Sequence, residues 1–432
     1  MREMKDSGIE WLGNVPVEWK FTKISNLYEL RNTKVSDREY LPLSVTMNGI
    51  VPQLDTAAKT NAHDSRKLVK KGDFAINSRS DRRGSCGISS YTGSVSLINT
   101  VMKPISLIDS GYYGWLFKSS QFSDEFYKWG HGIVADLWTT NWQDMKNITI
   151  PNPPLEEQKL ICHFLDLKCS EIDSLINDIK LQIEKMEEYK KSIITEAVTK
   201  GLDPNVEMKD SGIEWIGKIP EKWNVLKVMY ILDYKHPYAI GDGDHGIIKA
   251  DDYKDNGIPY LRVQNLTWGS ELNLENVVYI TKEDNNKIKS SILKPGDILF
   301  AKTGATIGKV GIVPDSLSIS NTTSHIGKIT IDPKYSNKYV FYYLNSNIGY
   351  RQFWNIASQK TTRPELSIEE IKSFKIIMPD TYEEQIHITS YLDNKCTKID
   401  QIINSKKQQL LKLEEYKRSL IYEYVTGKKE VK

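Results

Sequence analysis

Cysteine is scarce in this chain, and its placement excludes two kinds of small cross-linked domain. The 432 residues include only four cysteines, Cys86, Cys162, Cys169 and Cys396. No two of them form a C-x-x-C pair, so neither a zinc knuckle nor a disulfide framework is indicated. The seven histidines do not show metal-ligand spacing either. We therefore expect buried free thiols and no metal site.

Long apolar runs are also absent. No segment approaches the roughly 20 apolar residues needed to span a bilayer, and residues 1–6 lack the apolar core of a secretory signal. Hydrophobic residues make up 39% and aromatic residues 10% of the chain, as in ordinary globular proteins. These features predict a cytoplasmic protein with about two or three domains.

A large excess of one charge is missing as well. The chain has 58 basic and 56 acidic residues, so it does not have the high pI of a protein that coats DNA regardless of sequence. Between residues 64 and 83, however, seven basic residues face three acidic ones. This local excess predicts a phosphate contact on one face of the first half.

The chain contains an internal duplication. The segment M-K-D-S-G-I-E-W-L-G at 4–13 returns with one substitution at 208–217, and Trp19 returns as Trp223. A second match joins 155–199 to the end of the chain, with about half of the positions identical. Between these matches the two middles agree only in scattered places. A common frame therefore carries two different inserts.

These repeats predict how the chain is divided. A short repeated segment, a divergent middle and a helical region follow one another, and then the same three recur. The predicted bounds are 1–20, 21–150, 151–207, 208–223, 224–378 and 379–432.

The repeated helical regions carry an apolar seam. Apolar residues recur in alternating steps of four and three, the period of a coiled coil, and in the first copy only Lys190 interrupts them. The predicted seam residues are Ile172, Ile176, Ile179, Ile183, Met186 and Ile193 in the first copy, and Ile399, Ile403, Leu410, Leu413 and Leu420 in the second. One such helix could pack only on its own domain. Two matching seams favour antiparallel pairing about a pseudo-twofold axis.

The two middles have the pattern of mixed α/β domains. Short stretches rich in β-branched residues, such as 98–101 and 310–313, alternate with Gly and Pro breaks. Each middle also has an aromatic helical segment, at 112–129 and at 338–354. We expect most of these aromatic side chains to belong to the core.

Three strings resemble catalytic motifs but lack the required chemistry. The G-x-G-x-x-G string at 241–246 contains two aspartates, which would repel a pyrophosphate. The string at 304–310 is one residue too short for a P-loop and has Val310 where Ser or Thr should bind magnesium. The N-P-P-L string at 152–155 lacks the aromatic residue that would stack on a flipped base. We interpret them as loops and as a helix start.

What remains is a polar pattern suited to DNA. Arg and Lys can bind guanine edges, Asn and Gln adenine edges, and Ser or Thr phosphates. In the first half the predicted DNA contacts are Lys67, Lys70, Lys71, Asn77, Ser78, Arg79, Ser80, Arg82, Arg83, Thr139, Thr140 and Asn141. In the second half they are Arg262, Gln264, Asn265, Lys302, Thr303, Thr306, Asn321, Thr322, Thr323, Ser324, His325, Gln359, Lys360, Thr361 and Arg363. Such strings also occur in ordinary surface loops, so each set carries more weight than its members.

Features of the frame carry a resemblance to a known family. They are the K-D-S-G-I-E-W segments at 5–11 and 209–215, the E-E-Q starts of the long helices, the G-D turns at 72–73 and 296–297, and the G-I-P-Y-L-R-V-Q-N run at 257–265. In these the chain resembles the specificity subunit of type I restriction-modification enzymes, over nearly its whole length.

The resemblance implies an α+β fold with two target-recognition domains, related by a pseudo-twofold axis and separated by a pair of long antiparallel coiled-coil helices. Each domain would recognise one half of a bipartite double-stranded DNA target. The helices would set the spacer and dock two methyltransferase subunits, through which restriction subunits join. S-adenosylmethionine, ATP and magnesium would then be bound by those partners, with no cofactor, metal or catalytic residue in this chain.

Helix length fits this expectation. A helix from about residue 171 to 199 spans on the order of 40 Å, close to the roughly 34–36 Å between half-sites one DNA turn apart. Two alternatives remain open at this point. One is a scaffold whose coiled coil and middles bind protein, and the other is a diverged DNA methyltransferase.

Overall fold

A computed structural model describes residues 2–53, 63–132, 138–243, 245–269, 271–360 and 364–431. The chain forms two compact units. The first unit comprises Met1–Lys180 and Lys407–Lys432, and the second unit comprises Leu181–Lys406. The first unit is therefore built from both ends of the chain.

The helices of the described residues include two that are much longer than the rest. They are α1 (Ser110–Lys118), α2 (Ser120–Lys128), α3 (Trp142–Met145), α4 (Leu155–Lys200), α5 (Lys282–Lys287), α6 (Asn337–Asn345), α7 (Asn347–Ala357), α8 (Ile368–Lys372) and α9 (Tyr382–Val425). The prolines at 153–154 precede α4, as predicted for a helix start. None of these helices is both long and apolar enough to cross a membrane.

Antiparallel strands build the first unit. Its four-stranded sheet has the order Cys86–Ile88, Phe74–Asn77, Asn99–Pro104 and Tyr28–Leu30, and its three-stranded sheet the order Gly93–Ser96, Arg66–Val69 and Lys34–Val35. Two-stranded pairs are Met4–Asp6 with Asn14–Pro16, Lys20–Lys23 with Thr149–Asn152, and Leu43–Thr46 with Gly49–Pro52.

The second unit repeats this plan. Its four-stranded sheet has the order Ile240–Asp242, Ile326–Ile329, Ile298–Ala301 and Val310–Ile312, and its three-stranded sheet the order Val278–Ile280, Ile258–Leu261 and Asn321–Thr322. Two-stranded pairs are Met208–Asp210 with Lys218–Pro220, and Asn224–Lys227 with Lys375–Met378.

Short polar residues begin the helices that follow each sheet. Asp109 and Ser336 accept hydrogen bonds from backbone N–H groups at the starts of α1 and α6. Ser119 and Ser346 do the same for α2 and α7. Such caps satisfy N–H groups that have no partner in the first turn. The prediction that the aromatic residues of these helices belong to the core is confirmed for Tyr112, Tyr113, Phe117, Phe122, Phe126, Tyr127, Tyr339, Phe341, Tyr342, Tyr343 and Phe353.

A glycine and an aspartate form the turn before the central strand of each unit. Gly72 and Gly296 adopt positive φ angles of 89° and 84°, which only glycine tolerates without strain. The next residues, Asp73 and Asp297, accept hydrogen bonds from the backbone N–H three residues earlier, at 2.8 and 3.0 Å. In the second unit the buried Lys328 ammonium lies 3.7 Å from Asp297, and burial lowers the pKa of Lys328.

The two long helices pair antiparallel in the first unit. The Phe164 ring of α4 lies 4.4 Å from the Tyr424 ring of α9, centroid to centroid. Further along α4, Asp173 accepts a hydrogen bond of 2.5 Å from Lys417. Residue numbers therefore rise along one helix as they fall along the other. The predicted seam residues Ile172, Ile176 and Leu420 are buried here, with Leu410 and Leu413 packed against them.

The same pairing holds in the second unit. Lys406 of α9 donates to Gln182 of α4 at 2.6 Å, and Lys190 donates to both carboxylate oxygens of Asp400 at 2.7 and 2.8 Å. Lys190, which interrupts the seam, is thus a buried half of an ion pair, and a polar pair of this kind favours one register over its neighbours. Of the remaining predicted seam residues, Ile399 and Ile403 are buried, and Ile179, Ile183, Met186 and Ile193 are half-buried.

The repeated N-terminal segments pack against the helix ends. In the first unit the Trp19 indole donates to Glu157 at 2.9 Å, and the Tyr112 hydroxyl donates to the Val425 carbonyl at 2.8 Å. Gly427, with φ of 70°, follows the end of α9, and a side chain there would collide with Trp19. In the second unit the matching contacts are Trp223 with Glu384 at 3.0 Å and Tyr339 with Val198 at 3.0 Å.

Replacing Tyr112 with phenylalanine is expected to lower the stability of the first unit by about 1–3 kcal/mol. The change leaves the Val425 carbonyl buried at a helix end without its donor. Tyr28 offers a matched control, because its hydroxyl is equally buried but has no hydrogen-bond partner among the described residues. Tyr28→Phe should therefore be neutral or stabilising. Thermal unfolding of the two variants measures the difference, and equal losses would contradict this assignment.

Candidate DNA interface

Two polar strings of the first half meet in one place. The Thr140 N–H donates to the Ser78 carbonyl at 3.0 Å, and the Ser80 N–H donates to the Trp138 carbonyl at 3.1 Å. The Ser78 N–H in turn donates to the Ile98 carbonyl at 3.3 Å. We call residues 77–83 and 138–141 the first loop cluster. It lies where the central strand Phe74–Asn77 ends.

The second unit has the same arrangement. The Leu366 N–H donates to the Lys302 carbonyl at 2.8 Å, the Gly304 N–H to the Pro364 carbonyl at 3.0 Å, and the Lys302 N–H to the His325 carbonyl at 3.0 Å. We call residues 302–306, 320–325, 358–360 and 364–366 the second loop cluster. Three strings that are far apart in the sequence are thus joined by the hydrogen-bond pattern that also builds the first loop cluster.

The run 262–265 lies beside the second loop cluster. Strand Ile258–Leu261 pairs parallel with Asn321–Thr322, and the Thr323 N–H donates to the Leu261 carbonyl at 3.2 Å. Arg262 stacks 5.5 Å from the centre of the Tyr253 ring and donates to the Asn276 carbonyl at 3.0 Å. Its guanidinium is therefore half-buried and partly engaged within the unit.

Burial divides the predicted DNA contacts into two groups. The buried ones hold the loops in place: the Ser78 and Thr100 hydroxyls are 2.9 Å apart, and Asn321 donates to Asn285 at 2.8 Å. The members of this group are Asn77, Ser78, Thr140, Asn265, Lys302, Asn321 and Thr322. We infer that these buried residues position the loops. That any of them contacts DNA stays a prediction.

Most of the accessible predicted contacts lie within the two loop clusters. The exposed ones are Lys70, Lys71, Arg79, Arg82, Arg83, Asn141, Gln264, His325 and Gln359. The half-buried ones are Lys67, Ser80, Thr139, Arg262, Thr303, Thr306, Thr323, Ser324 and Lys360. Thr361 and Arg363 lie outside the described residues.

The basic run of the first half does not form one face. Lys70 and Lys71 lie in the turn before strand Phe74–Asn77, whereas Arg79 follows its other end. A four-residue strand separates these ends by about 13 Å. Lys67 is half-buried and donates to the Asn99 carbonyl at 2.7 Å, and burial lowers its pKa. Arg79, Arg82 and Arg83 are therefore the basic residues of the first loop cluster itself.

The two clusters differ in charge. In the first, Arg82 lies 3.7 Å from Asp81, and Arg83 pairs with Asp124 at 3.0 Å beside the Tyr127 ring. Arg79 adds a further cation. The second cluster contains the buried Lys302 and the half-buried Lys360 together with carboxylates.

These carboxylates lie outside the predicted DNA contacts. Lys302 pairs with Asp242 and lies 3.4 Å from Glu365. Lys360 pairs with Glu370 at 2.7 Å; burial would raise the pKa of Glu370, but its hydrogen bonds with Lys360 and Ser367 lower it. Asp242 belongs to the glycine-rich string at 241–246, and Glu365 follows the predicted polar string directly. Their acidic character alone did not distinguish them from surface residues.

In the glycine-rich string, residues 241–242 end a strand and residues 245–246 lie in a turn. Asp242 ends strand Ile240–Asp242, and a side chain at Gly243 would collide with the backbone of Thr322 and Thr323. The string at 304–310 forms a short 3-10 helix before strand Val310–Ile312. Within the described ranges no cluster of three or more His, Cys, Asp or Glu side chains could hold a metal ion.

Fold and surface together define an internally duplicated α+β protein with one candidate recognition surface in each unit. The family model described as the type I restriction modification DNA specificity domain matches residues 16–185 and 239–413. The chain belongs to this family, with one match in each half.

Curated relatives agree with this assignment. The chain is 28% identical over 290 residues to the specificity subunit of the type I restriction enzyme MjaVIII of Methanocaldococcus jannaschii, covering 66% of this chain and 63% of the relative. It is 26% identical over 295 residues to the EcoBI specificity subunit of Escherichia coli, covering 66% and 59%. The chain thus spans about three fifths of the length of these relatives.

A solved structure supports the fold at chain length. It comes from work on complex assembly and conformational transition of the type I R-M system and matches with a TM-score of 0.68 at 12% identity. The match covers 95% of this chain and 98% of the other. At this identity the likeness concerns the fold alone.

Proposed function

We propose that this chain is the non-catalytic DNA-recognition subunit of a type I restriction-modification complex. Each unit recognises one half of an asymmetric, bipartite double-stranded DNA target. The observation that carries this proposal is the pair of loop clusters, which share one backbone hydrogen-bond pattern but present different side chains. A constant frame with variable surface residues is what two different half-sites require.

The side chains of the clusters suit base and phosphate contacts. Arginines such as Arg79, Arg82 and Arg83 can bind guanine edges or phosphates. Hydroxyl, imidazole and amide groups of Thr303, His325 and Gln359 can contact bases or phosphates in the other half-site. The buried residues beneath them keep these groups in position, which lowers the entropic cost of binding.

The long helices support a spacer and docking role. In the first unit, the large apolar residues Leu160, Leu167 and Leu175 of α4 have 51–57% of their surface exposed. They are seven or eight residues apart, so they follow one side of the helix. An exposed apolar stripe of this kind typically marks a protein interaction site.

In the proposed complex, two methyltransferase subunits dock on the helices and restriction subunits join through them, in the cytoplasm. The partners supply S-adenosylmethionine, ATP and magnesium chemistry. This chain supplies target choice and spacing.

Selection from a pool of random double-stranded DNA tests the proposal. The chain, assembled with the modification subunits encoded in the same genome, should enrich two unlike sequence blocks separated by a fixed spacer. Affinity for the selected duplex should fall steeply with salt, because phosphate contacts release counterions. A protein scaffold would enrich no motif, and a diverged methyltransferase would methylate DNA without partners. Either outcome would contradict the proposed function.

A further inference from the structure

The second unit contains a polar hollow at its loop cluster. The hollow has a volume of about 490 Å3 and is lined by Asp242, Lys302, Lys360, Glu365 and residues 366–368. The backbone contacts that join residues 302–304 to 364–366 form one wall. It therefore belongs to the candidate recognition surface of this unit and is large enough to admit the edge of a base.

Among the described residues, the charged groups around the hollow do not balance. Lys302, with 6% of its side chain exposed, pairs closely with Asp242. Asp242 also lies 3.0 Å from the His245 ring. The Lys360 ammonium is bound by Glu370 at 2.7 Å and by the Glu365 main-chain carbonyl at 2.5 Å. Both ammonium groups thus have a closer carboxylate than that of Glu365.

Among these described groups, Glu365 carries the surplus negative charge. Its side chain is 53% exposed, and its one ion-pair contact in the described part of the chain is the 3.4 Å approach to Lys302. Since Lys302 already pairs with Asp242, the Glu365 carboxylate keeps accessible lone pairs. Its backbone is nevertheless held, because residues 303 and 365 form a β-bridge. The carboxylate is therefore accessible, and its backbone is fixed within the loop cluster.

An exposed carboxylate on a proposed DNA-binding surface needs a specific partner. It repels phosphates, so it weakens binding that depends only on backbone charge. In the major groove it can accept a hydrogen bond from the N4 amino group of cytosine. Adenine fits less well, because its N7 acceptor lies beside the N6 amino group and would face a group that only accepts hydrogen bonds.

The first unit provides the contrast. There the matching β-bridge joins residues 79 and 139, and Thr139 stands where the second unit has Glu365. The surrounding side chains include Arg79, Arg82 and Arg83, which suit guanine acceptors. At this bridge position the two clusters therefore differ: the first has a hydroxyl beside arginines, and the second has a carboxylate.

We propose that Glu365 is a specificity-determining residue that accepts a hydrogen bond from a cytosine N4 amino group in the half-site bound by the second unit. The bridge between residues 303 and 365 holds its backbone in the loop cluster. This inference rests on the proposed function. It adds the residue that recognises one base of the half-site and the identity of that base.

The test compares Glu365→Gln with Glu369→Gln in the assembled complex, by selection from random duplex DNA. Glu369 is a matched control, because it is also exposed and loses the same charge, but it pairs with Lys372 on α8 outside the hollow. Glu365→Gln should reduce the preference for cytosine at one position by about tenfold, with a gain for adenine, which glutamine binds through N6 and N7. Glu369→Gln should leave the motif unchanged.

A third variant and the parent complex give further expected outcomes. Glu365→Ala should lose the cytosine preference without gaining adenine, and unfolding temperatures of all variants should match the parent. Exchanging residues 224–378 for those of another family member should change one half-site. The base position altered by Glu365→Gln must lie in that half-site. An unchanged motif in Glu365→Gln, or a parent half-site without cytosine at any selected position, would overturn this inference. A parent complex that selects no bipartite motif would instead refute the proposed function.

Discussion

Exchanging residues 224–378 for the corresponding segment of another family member is expected to replace one half-site of the DNA target completely. The other half-site and the spacer should persist. All described residues of the second loop cluster lie within this segment. Strand Asn224–Lys227 pairs with Lys375–Met378 so that Asn224 lies opposite Met378. The two ends of the exchanged segment are thus neighbours in one β-ladder, and the graft closes on itself.

The expected effect is large because several base contacts change together. Each mismatched base pair costs about 1–3 kcal/mol, roughly additively, so affinity for the old half-site should fall by more than about a hundredfold. Methylation mapping or duplex selection with the chimaeric complex measures the change.

A matched exchange serves as the control. Residues 21–150 are closed in the same way, since Lys20–Lys23 pairs with Thr149–Asn152. Their exchange should alter the half-site that the first chimaera keeps. If either chimaera altered both half-sites, recognition would not be divided between the two units.

Lengthening both long helices by four residues is expected to lengthen the spacer without changing either half-site. The insertions belong after Lys180 in α4 and after Lys406 in α9, where the chain passes between the units. Four residues add about 6 Å of helix, which corresponds to one or two base pairs of DNA at about 3.4 Å per step. Four residues are also close to one helical turn, so the apolar faces keep their approximate direction.

Insertion into only one helix provides the contrast. It would offset α4 from α9 and separate pairs such as Asp173 with Lys417 or Lys190 with Asp400. We expect that variant to lose stable assembly or target binding. Duplex selection with the chain that carries both insertions tests whether the helices set the spacer. An unchanged spacer length would show that they do not.

The sequence allowed the frame to be predicted in some detail. The antiparallel pairing, the helix start after the prolines at 153–154 and the aromatic core were read from local signals: an apolar period, helix-breaking residues and clustered aromatics. Some of the polar strings also meet as predicted, because residues 77–83 and 302–306 each follow the end of a matching strand. Their individual roles could not be read in this way.

Lys302 and Glu365 show why the roles of individual polar residues could not be predicted from the sequence. In the sequence, Lys302 belongs to a polar string like any surface lysine, and Glu365 stands outside the strings. In the structure Lys302 is 5% exposed and paired with Asp242, while Glu365 is open. Lys70 and Lys71 were grouped with Arg79 by sequence distance, although a strand carries them to opposite ends.

By itself, then, the sequence determined the duplication, the division into constant frame and variable inserts, and the periodic faces of the two long helices. These properties depend on residues close together in the chain or on direct comparison of its halves. Only the tertiary structure decided which polar groups of the loop clusters are buried supports and which remain available to DNA. Burial and ion pairing depend on segments distant in sequence, such as 242, 302 and 365, and those neighbours exist only once the sheet has brought them together.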